Sequence, residues 1–236
     1  MDRDCVVCLY EHSGLSARPW LEAGYNVLCF DKANQPTIDP HPSGGSMWMI
    51  PWDAHSEGAF TDVIEFVNGD HVAMLLAFPP CDDLAVSGAK HFAAKLSRDP
   101  NFQHRAMERV FVAETLANHF NAPYAIENHV SAISTLWRKP DYVWSPNQYG
   151  GYLPVDDEHP LYPDIIEPRD QYRKATCYWI GNGFKVPPRK PLPPLQPLSN
   201  MYTKLGGSSE RTKRIRNSSP RGMARAIFEA NHKRQP

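Results

Sequence analysis

The sequence lacks an apolar run long enough to cross a membrane. A spanning helix needs about 20 consecutive apolar residues, and the run at 71–78, which ends at two prolines, is far shorter. The sequence also lacks an apolar secretion signal at its start, because residues 2–4 are charged and no small-residue cleavage site follows. Both absences predict a cytoplasmic protein that does not bind membranes.

Cysteine is scarce, and its number is odd. The five cysteines are scattered and most lie in apolar runs, at Cys5, Cys8, Cys29, Cys81 and Cys177. This pattern favours free thiols in a reducing compartment over a disulfide framework. A zinc site at Cys5, Cys8 and His12 is an alternative, but positions 5 and 8 of a strand face opposite sides. We therefore expect no metal.

A large net charge is absent as well, but the value of −1 conceals an asymmetry. From residue 204 onward nine Lys or Arg accompany two acidic residues, so this part carries +7 and the part before it −8. A basic segment at 204–225 on an acidic body favours a polyanionic partner such as nucleic acid. A solvated basic terminus is the alternative, which charge alone does not exclude.

What the chain does have is a regular alternation of strand and helix patterns. Short apolar runs predict strands at 5–10, 25–30, 47–50, 71–78, 124–126 and 175–180. Amphipathic stretches between them predict helices, among them one at 107–121. This alternation predicts an α/β protein with a doubly wound, mostly parallel Rossmann-like sheet. The six prolines in 187–198 predict an extended spacer, which a flexible basic segment at 204–216 and a helix at 223–231 follow.

The end of one predicted strand carries a cysteine in an unusual setting. The run at 71–78 stops at Pro79-Pro80, and Cys81 follows. Open α/β sheets bind ligands beyond the carboxyl ends of their strands, and two prolines stiffen the loop that holds the thiol. Cys81 is therefore either a nucleophile or a small buried residue at a strand end, since cysteines are often buried.

Other strand ends carry polar residues. A first strand, a turn at Gly14, a helix and a second strand ending on Asp31 form the opening of a nucleotide-binding βαβ unit. An acid in that position can accept hydrogen bonds from ribose hydroxyls. Asp53 follows the third strand, and Glu127-Asn128 follows the fifth. The alternatives are solvated acids for Asp31 and Asp53, and helix capping for Glu127-Asn128.

These residues together resemble the DNA cytosine-5 methyltransferase family, in particular its short, phage-type members. On the cofactor side, Tyr10-x-x-Ser13-Gly14 is similar to the family's cofactor loop, and Asp31 and Asp53 fall at its acids for ribose and adenine. Pro80-Cys81 matches the Pro-Cys nucleophile motif, and Glu127-Asn128 matches Glu-Asn-Val with His129 in place of valine. The order and spacing of the matched segments cover nearly the whole chain.

Two further segments extend the resemblance toward the C-terminus. Gln171-Tyr-Arg173-Lys-Ala175 is similar to a Gln-x-Arg-x-Arg motif, with Ala175 in place of the second arginine. Arg216-Asn217-Ser-Ser-Pro220 resembles the element that opens the family's last helix.

The resemblance implies a class I S-adenosylmethionine-dependent methyltransferase. Such an enzyme transfers a methyl group to carbon 5 of a flipped cytosine in DNA, through a covalent adduct of Cys81 at C6. The implied catalytic residues are Cys81, Glu127, Asn128 and Arg173, with Lys174 competing for the role of Arg173. The implied cofactor-binding residues are Tyr10, Ser13, Gly14, Asp31, Asp53, Pro79, Asn217 and Ser219. An RNA cytosine-5 methyltransferase and a nucleic-acid-binding homologue with weakened catalysis are the alternatives.

The resemblance also implies a division of the chain. We expect a catalytic, cofactor-binding domain at 1–183, a connecting segment and reduced target-recognition region at 184–216, and a returning C-terminal helix at 217–236. The basic segment at 204–225 would contact DNA phosphates. Since a large recognition domain has no room, short target sites, low specificity and a helper subunit all stay open. The expected location is the cytoplasm, that of the bacterial host if a phage encodes the protein.

Overall fold

The computed structural model describes residues 4–207 and 209–232, which form two compact units. The first unit comprises the chain up to residue 143 together with 176–184, and the second comprises 144–175 together with the chain from 185. The sequence-based division had kept 144–175 in the catalytic domain. The structure differs because this segment hydrogen-bonds to the proline-rich stretch, for example from Leu192 N to Asn147 O at 2.8 Å. Residue 208 of the basic segment and the last four residues of the predicted 217–236 segment lie outside the described residues.

Eight strands of the described residues form one sheet. They are β1 (Cys5–Leu9), β2 (Asn26–Asp31), β3 (Thr37–Pro40), β4 (Ser46–Pro51), β5 (Val72–Ala77), β6 (Tyr124–His129), β7 (Tyr142–Trp144) and β8 (Thr176–Gly181). Their order across the sheet is β3-β4-β2-β1-β5-β6-β8-β7. The five central strands, β4, β2, β1, β5 and β6, pair in parallel. At the two sides of this group, β3 runs antiparallel to β4, and β8 runs antiparallel to β6. The prediction of a mostly parallel α/β sheet is confirmed in this form.

Eight α-helices accompany the strands. They are α1 (Arg18–Glu22), α2 (Ala59–Val67), α3 (Phe92–Arg98), α4 (Phe102–His119), α5 (Ile133–Leu136), α6 (Asn200–Thr203), α7 (Glu210–Arg216) and α8 (Arg221–Asn231) within the described residues. All five residues of β1 are buried. Residues of β1 belong to a cluster of buried apolar side chains that also includes Val63 of α2 and Val110 of α4. Burial on both faces explains why the parallel strands read as continuous apolar runs.

The sheet reverses its direction of winding between β1 and β5. From β1 the chain moves outward to β2 and β4, and it then returns to place β5 and β6 on the other side of β1. Such a switch point opens a crevice at the carboxyl ends of the strands, which is where open α/β sheets bind their ligands.

The second unit is mostly irregular and has its own small core. One cluster of buried apolar residues in it consists of Ile166, Tyr172, Met201, Leu205 and Ile215. The basic segment expected to be flexible contains α7, because Ser209 caps the helix by accepting from Thr212 N at 3.2 Å and Ile215 is fully buried. Within the described parts of the chain, no helix is both long and apolar enough to cross a membrane.

Candidate active site

The carboxyl ends of the parallel strands bring together the polar residues of the first unit that the sequence singled out. Leu9 of β1 is in register with Phe30 of β2 and Ala77 of β5, and Ala77 is in register with Ile126 of β6. The loops that follow these residues therefore lie at the same edge of the sheet. The residues in question are Tyr10, Ser13, Gly14, Asp31, Asp53, Pro79, Cys81, Glu127 and Asn128.

Cys81 differs from the other four cysteines because it is partly exposed, whereas they are buried. Burial raises the pKa of Cys5 to about 12. Burial, followed by the charge of Glu127, also raises the pKa of Cys177. A hydrogen bond with Cys8, followed by burial, raises the pKa of Cys29. Among the five, Cys81 is therefore the thiol that a substrate can reach most readily.

The loop that carries Cys81 is held in a tight turn. The Cys81 carbonyl accepts hydrogen bonds from Leu84 N at 3.0 Å and Ala85 N at 2.8 Å. Next to this turn, Val86 N donates to Val130 O at 3.2 Å and Ala132 N donates to Leu84 O at 2.8 Å. The loops after β5 and β6 are therefore joined by their backbones.

Asn128 joins the same two loops through its side chain. It is 3% exposed, and its Nδ2 donates to the Pro79 carbonyl at 3.0 Å. Its Oδ1 is buried and has no hydrogen-bond partner among the described residues. Buried polar groups are usually satisfied, so this oxygen marks a position under functional or structural constraint.

Glu127 lies inside β6 rather than beyond it. β8 pairs with β6 as far as His129, which extends the strand three residues past the predicted end at Ile126. The alternative role in helix capping is wrong, because α5 begins at Ile133 and has no side-chain cap. The half-buried Glu127 carboxyl is instead placed one strand away from the Cys81 loop.

The loop after β1 depends on Glu11, which the sequence analysis missed. This residue is 3% exposed. Its Oε1 accepts from Ser13 N and Ser13 Oγ at 2.7 Å each and from Gly14 N at 3.1 Å. Gly14 has a φ of +69°, and a Cβ there would collide with the Met47 sulfur. Glu11 precedes Ser13 by two residues and Gly14 by three. An acid at this distance before a glycine turn can accept hydrogen bonds from the backbone amides of the turn, and this spacing is the signal that could have identified it.

Tyr10 uses its polar atom within the protein. Its hydroxyl donates to the Arg109 carbonyl at 3.0 Å, and its ring lies 5.5 Å from that of Trp52. Burial raises the pKa of this hydroxyl. A contact between Tyr10 and a cofactor would therefore involve the ring or the backbone.

The two strand-end acids each keep one oxygen available. Asp31 Oδ1 accepts from Ala33 N at 2.7 Å, and Asp53 Oδ1 accepts from His55 N at 3.0 Å. The second oxygen of each carboxylate accepts no hydrogen bond from the residues described. Such oxygens can accept from the hydroxyls of a ribose or the amine of an adenine.

Three of the predicted site residues belong to the second unit. Arg173 and Asn217 are exposed, and Ser219 is buried. Lys174, the competitor of Arg173, donates from Nζ to the Arg216 carbonyl at 2.9 Å. The roles of Arg173, Asn217 and Ser219 stay predictions. No group of three or more metal-ligating side chains occurs in the parts of the chain that the structure describes.

Comparison with known proteins gives similarities to solved structures but none to a family model or a curated protein. No family model matches the chain, and no curated protein is similar enough to count as a match. A solved structure from E. coli, provisionally described as a DNA modification methyltransferase encoded within a prophage, is 12% identical with a TM-score of 0.43. The match covers 80% of this chain and 52% of the other, so the chain spans about half the length of that protein.

Proposed function

We propose that the protein transfers a methyl group from S-adenosylmethionine to carbon 5 of cytosine in DNA, with Cys81 as the nucleophile. The observation that supports the proposal is that Cys81 and Glu127 follow the paired segments of the neighbouring strands β5 and β6, which the hydrogen bond from Asn128 to Pro79 also joins. A thiol and a carboxyl group at adjacent strand ends are the two groups that addition to a pyrimidine ring requires.

The chemistry begins with the low reactivity of carbon 5. The Cys81 thiolate adds to C6, and the electrons of the C5–C6 double bond move toward C5, which becomes nucleophilic. Glu127, acting as an acid, donates a proton to N3 and thereby compensates the charge that develops on the ring. Bound S-adenosylmethionine would supply an electrophilic methyl group to C5, and the electron pair of the broken carbon–sulfur bond would stay on the sulfur of S-adenosylhomocysteine. A base then removes the C5 proton, the electrons of that bond restore the C5–C6 double bond and expel Cys81 as a thiolate, and N3 returns its proton to Glu127.

A base inside a duplex cannot reach Cys81, so the target cytosine must rotate out of the stack. The stiffness of Pro79-Pro80 and the backbone bonds between the two loops support a pocket that is formed before the base enters. In this proposal Asn128 positions the nucleophile loop, and Arg173 or Lys174 contacts the flipped base or its phosphates.

The residues around the switch point fit the proposed cofactor. The Glu11-bonded loop with Ser13 and Gly14 leaves no side chain at the glycine, and free carboxylate oxygens of Asp31 and Asp53 suit the ribose and adenine. Tyr10, Pro79, Asn217 and Ser219 complete the proposed cofactor-binding set. The reversed strand β8 beside a parallel sheet supports the class I methyltransferase type of fold.

Mechanism-based trapping tests the proposal. Duplex DNA containing 5-fluorocytosine cannot release the C5 substituent, so the native protein with S-adenosylmethionine should form an adduct that resists denaturants. Cys81→Ala should form no adduct yet bind S-adenosylmethionine with normal affinity in calorimetry. Cys5→Ala, at the opposite end of β1 from the site, is the control and should form the adduct.

The same experiment separates the alternatives. Adduct formation with fluorocytosine RNA alone would favour an RNA methyltransferase. Methylation by Cys81→Ala, or the absence of any adduct with the native protein, would contradict the proposed mechanism.

A further inference from the structure

We infer that a cleft beside the Cys81 loop binds a phosphate group of the nucleic acid substrate. The cleft has a volume of about 340 Å³ and lies between α3 and α4. Its charged lining consists of Asp83, Lys95, Arg98, Asp99, Arg105 and Arg109. The identity of the substrate in this inference rests on the proposed function. The ability of the cleft to bind an anion is independent of that function.

The charges of the cleft do not balance. Lys95 pairs with Asp83 at 2.6 Å, and Arg105 pairs with Asp99. Arg98 and Arg109 also line the cleft, and neither forms an ion pair with any residue that the structure describes. Two guanidinium groups without carboxylate partners leave the cleft with a surplus of +2.

A phosphate group is the anion that this surplus fits best. A guanidinium presents donors in a planar fork that matches two oxygens of a phosphate, and such charge-assisted pairs are among the strongest hydrogen bonds in proteins. The chain before residue 204 carries a net charge of −8. A positive cleft is therefore a local exception on this part of the molecule.

The cleft is attached to the nucleophile loop. Lys95 Nζ donates to the Asp82 carbonyl at 2.9 Å in addition to its bond with Asp83. Gln103 Nε2 donates to the Asp83 carbonyl at 3.4 Å. Both residues bonded in this way directly follow Cys81 in the chain. A nucleotide whose base reaches Cys81 must bring its flanking phosphates close to this loop, so a phosphate in the cleft would fix the position of the strand without reading its sequence.

The test compares two double variants of the full chain. Arg98→Ala/Arg109→Ala removes the surplus charge of the cleft. Arg18→Ala/Lys139→Ala removes the same charge from exposed positions outside the cleft. Affinity for a cytosine-containing duplex is measured by fluorescence anisotropy over a series of salt concentrations.

The cleft variant should bind DNA about tenfold more weakly, since a hydrogen bond to a charged group contributes at least about 1.5 kcal/mol. Its plot of log K against log salt should be less steep by about 0.9, the value for one lost phosphate contact. The control variant should bind more tightly than the cleft variant. Arg98→Lys/Arg109→Lys keeps both charges and should lie between the native protein and the alanine variant, which separates charge loss from misfolding.

Three outcomes would overturn the inference. The cleft variant could bind DNA as the control does, or the native protein could bind no DNA. The cleft could also bind inorganic phosphate in calorimetry while its variants keep full DNA affinity, which would assign it to a small phosphorylated ligand. If the native protein binds DNA through the cleft but transfers no methyl group, the proposed function fails and the inference stands.

Discussion

At the scale of single residues, Asn128 holds two loops of the site together, a role that its place in a two-residue motif does not indicate. Its amide nitrogen donates to the buried Pro79 carbonyl of the Cys81 loop, while its amide oxygen stays unsatisfied among the described residues. A buried acceptor without a partner costs about 1–3 kcal/mol. Asn128 thus holds the Cys81 loop through its amide nitrogen, while its unsatisfied amide oxygen costs stability. Such local costs are typical of functional sites.

We predict that Asn128→Ala loses activity beyond its loss of stability. The Pro79 carbonyl would lose its buried donor, which should lower the free energy of unfolding by about 1–3 kcal/mol. The Cys81 loop would lose one of its ties to β6, so the single-turnover rate of methylation should fall at least about tenfold. S-adenosylmethionine affinity should stay near the native value.

Asn147→Ala is the matched control for this prediction. Asn147 lies in the second unit, is half-buried and also donates from Nδ2 to a backbone carbonyl, that of Leu192, at 2.9 Å. It should cost similar stability in urea unfolding, yet keep the single-turnover rate at saturating cofactor. Equal rates for Asn128→Ala and the native protein would remove the positioning role.

At this scale, residue types alone identify the candidate residues at the ends of strands. A proline-flanked cysteine and strand-end acids are visible without coordinates, and the structure puts them at one edge of the sheet. Glu11 was missed because its importance comes from accepting backbone amides of Ser13 and Gly14. A carboxylate of this kind resembles any solvated loop acid in the sequence.

At the scale of elements, the positions of β8 and of the parallel strands were predictable, whereas the direction of β8 was not. Apolar runs reveal burial but carry no direction, so the reversal of β8 and the resulting extension of β6 could not be foreseen. β3 was missed because all four of its residues are exposed, which leaves no apolar pattern. α7 was missed because its basic composition conceals the buried Thr212 and Ile215.

The second unit contains two buried ionisable residues with opposite titration behaviour. Burial lowers the pKa of His159 to about 4, and its Nδ1 accepts from Tyr162 N at 3.0 Å. Burial raises the pKa of Asp170 to about 6, and Asp170 accepts from Gly222 N at 2.7 Å. The native state therefore favours neutral His159 and neutral Asp170.

These shifts predict opposite pH dependences of stability. His159 titrates at a lower pH in the native than in the unfolded state, so its contribution is present above about pH 6.5 and is lost as the pH falls toward 4. Asp170 titrates at a higher pH in the native state, so its contribution is present below about pH 4 and is lost as the pH rises through 6. Between pH 4 and 6 the two contributions partly cancel.

Urea unfolding of two variants between pH 4 and 6.5 checks this prediction. Compared with the native protein, His159→Asn should lose stability as the pH rises, and Asp170→Asn should gain stability as the pH rises. Each change should amount to a few kcal/mol at most, on the order of 3 kcal/mol for about two pH units. Each variant is the control for the other, because a general loss of packing would shift both curves without giving their slopes opposite signs.

At the scale of the whole molecule, the charge asymmetry acquires a structural form. The part of the chain from residue 204 onward carries +7, and within it α7 gives the basic side chains a fixed spacing. Lys213 pairs with Glu210 at 2.8 Å, whereas Arg214 is exposed and forms no ion pair with the described residues. The helix therefore does not offer its positive charges equally to a polyanion.

We predict that Arg214→Ala weakens DNA binding more than Lys213→Ala does. Arg214 has its charge available for a phosphate, while Lys213 must first give up its carboxylate partner. Both effects should be the same for duplexes of different sequence, because phosphate contacts carry no direct base information. For Arg214→Ala the plot of log K against log salt should become less steep by about 0.9.

Glu210→Gln removes the carboxylate that pairs with Lys213 and should raise the affinity for DNA. A loss of folding could not produce a higher affinity. A loss confined to one DNA sequence would instead assign α7 to base recognition.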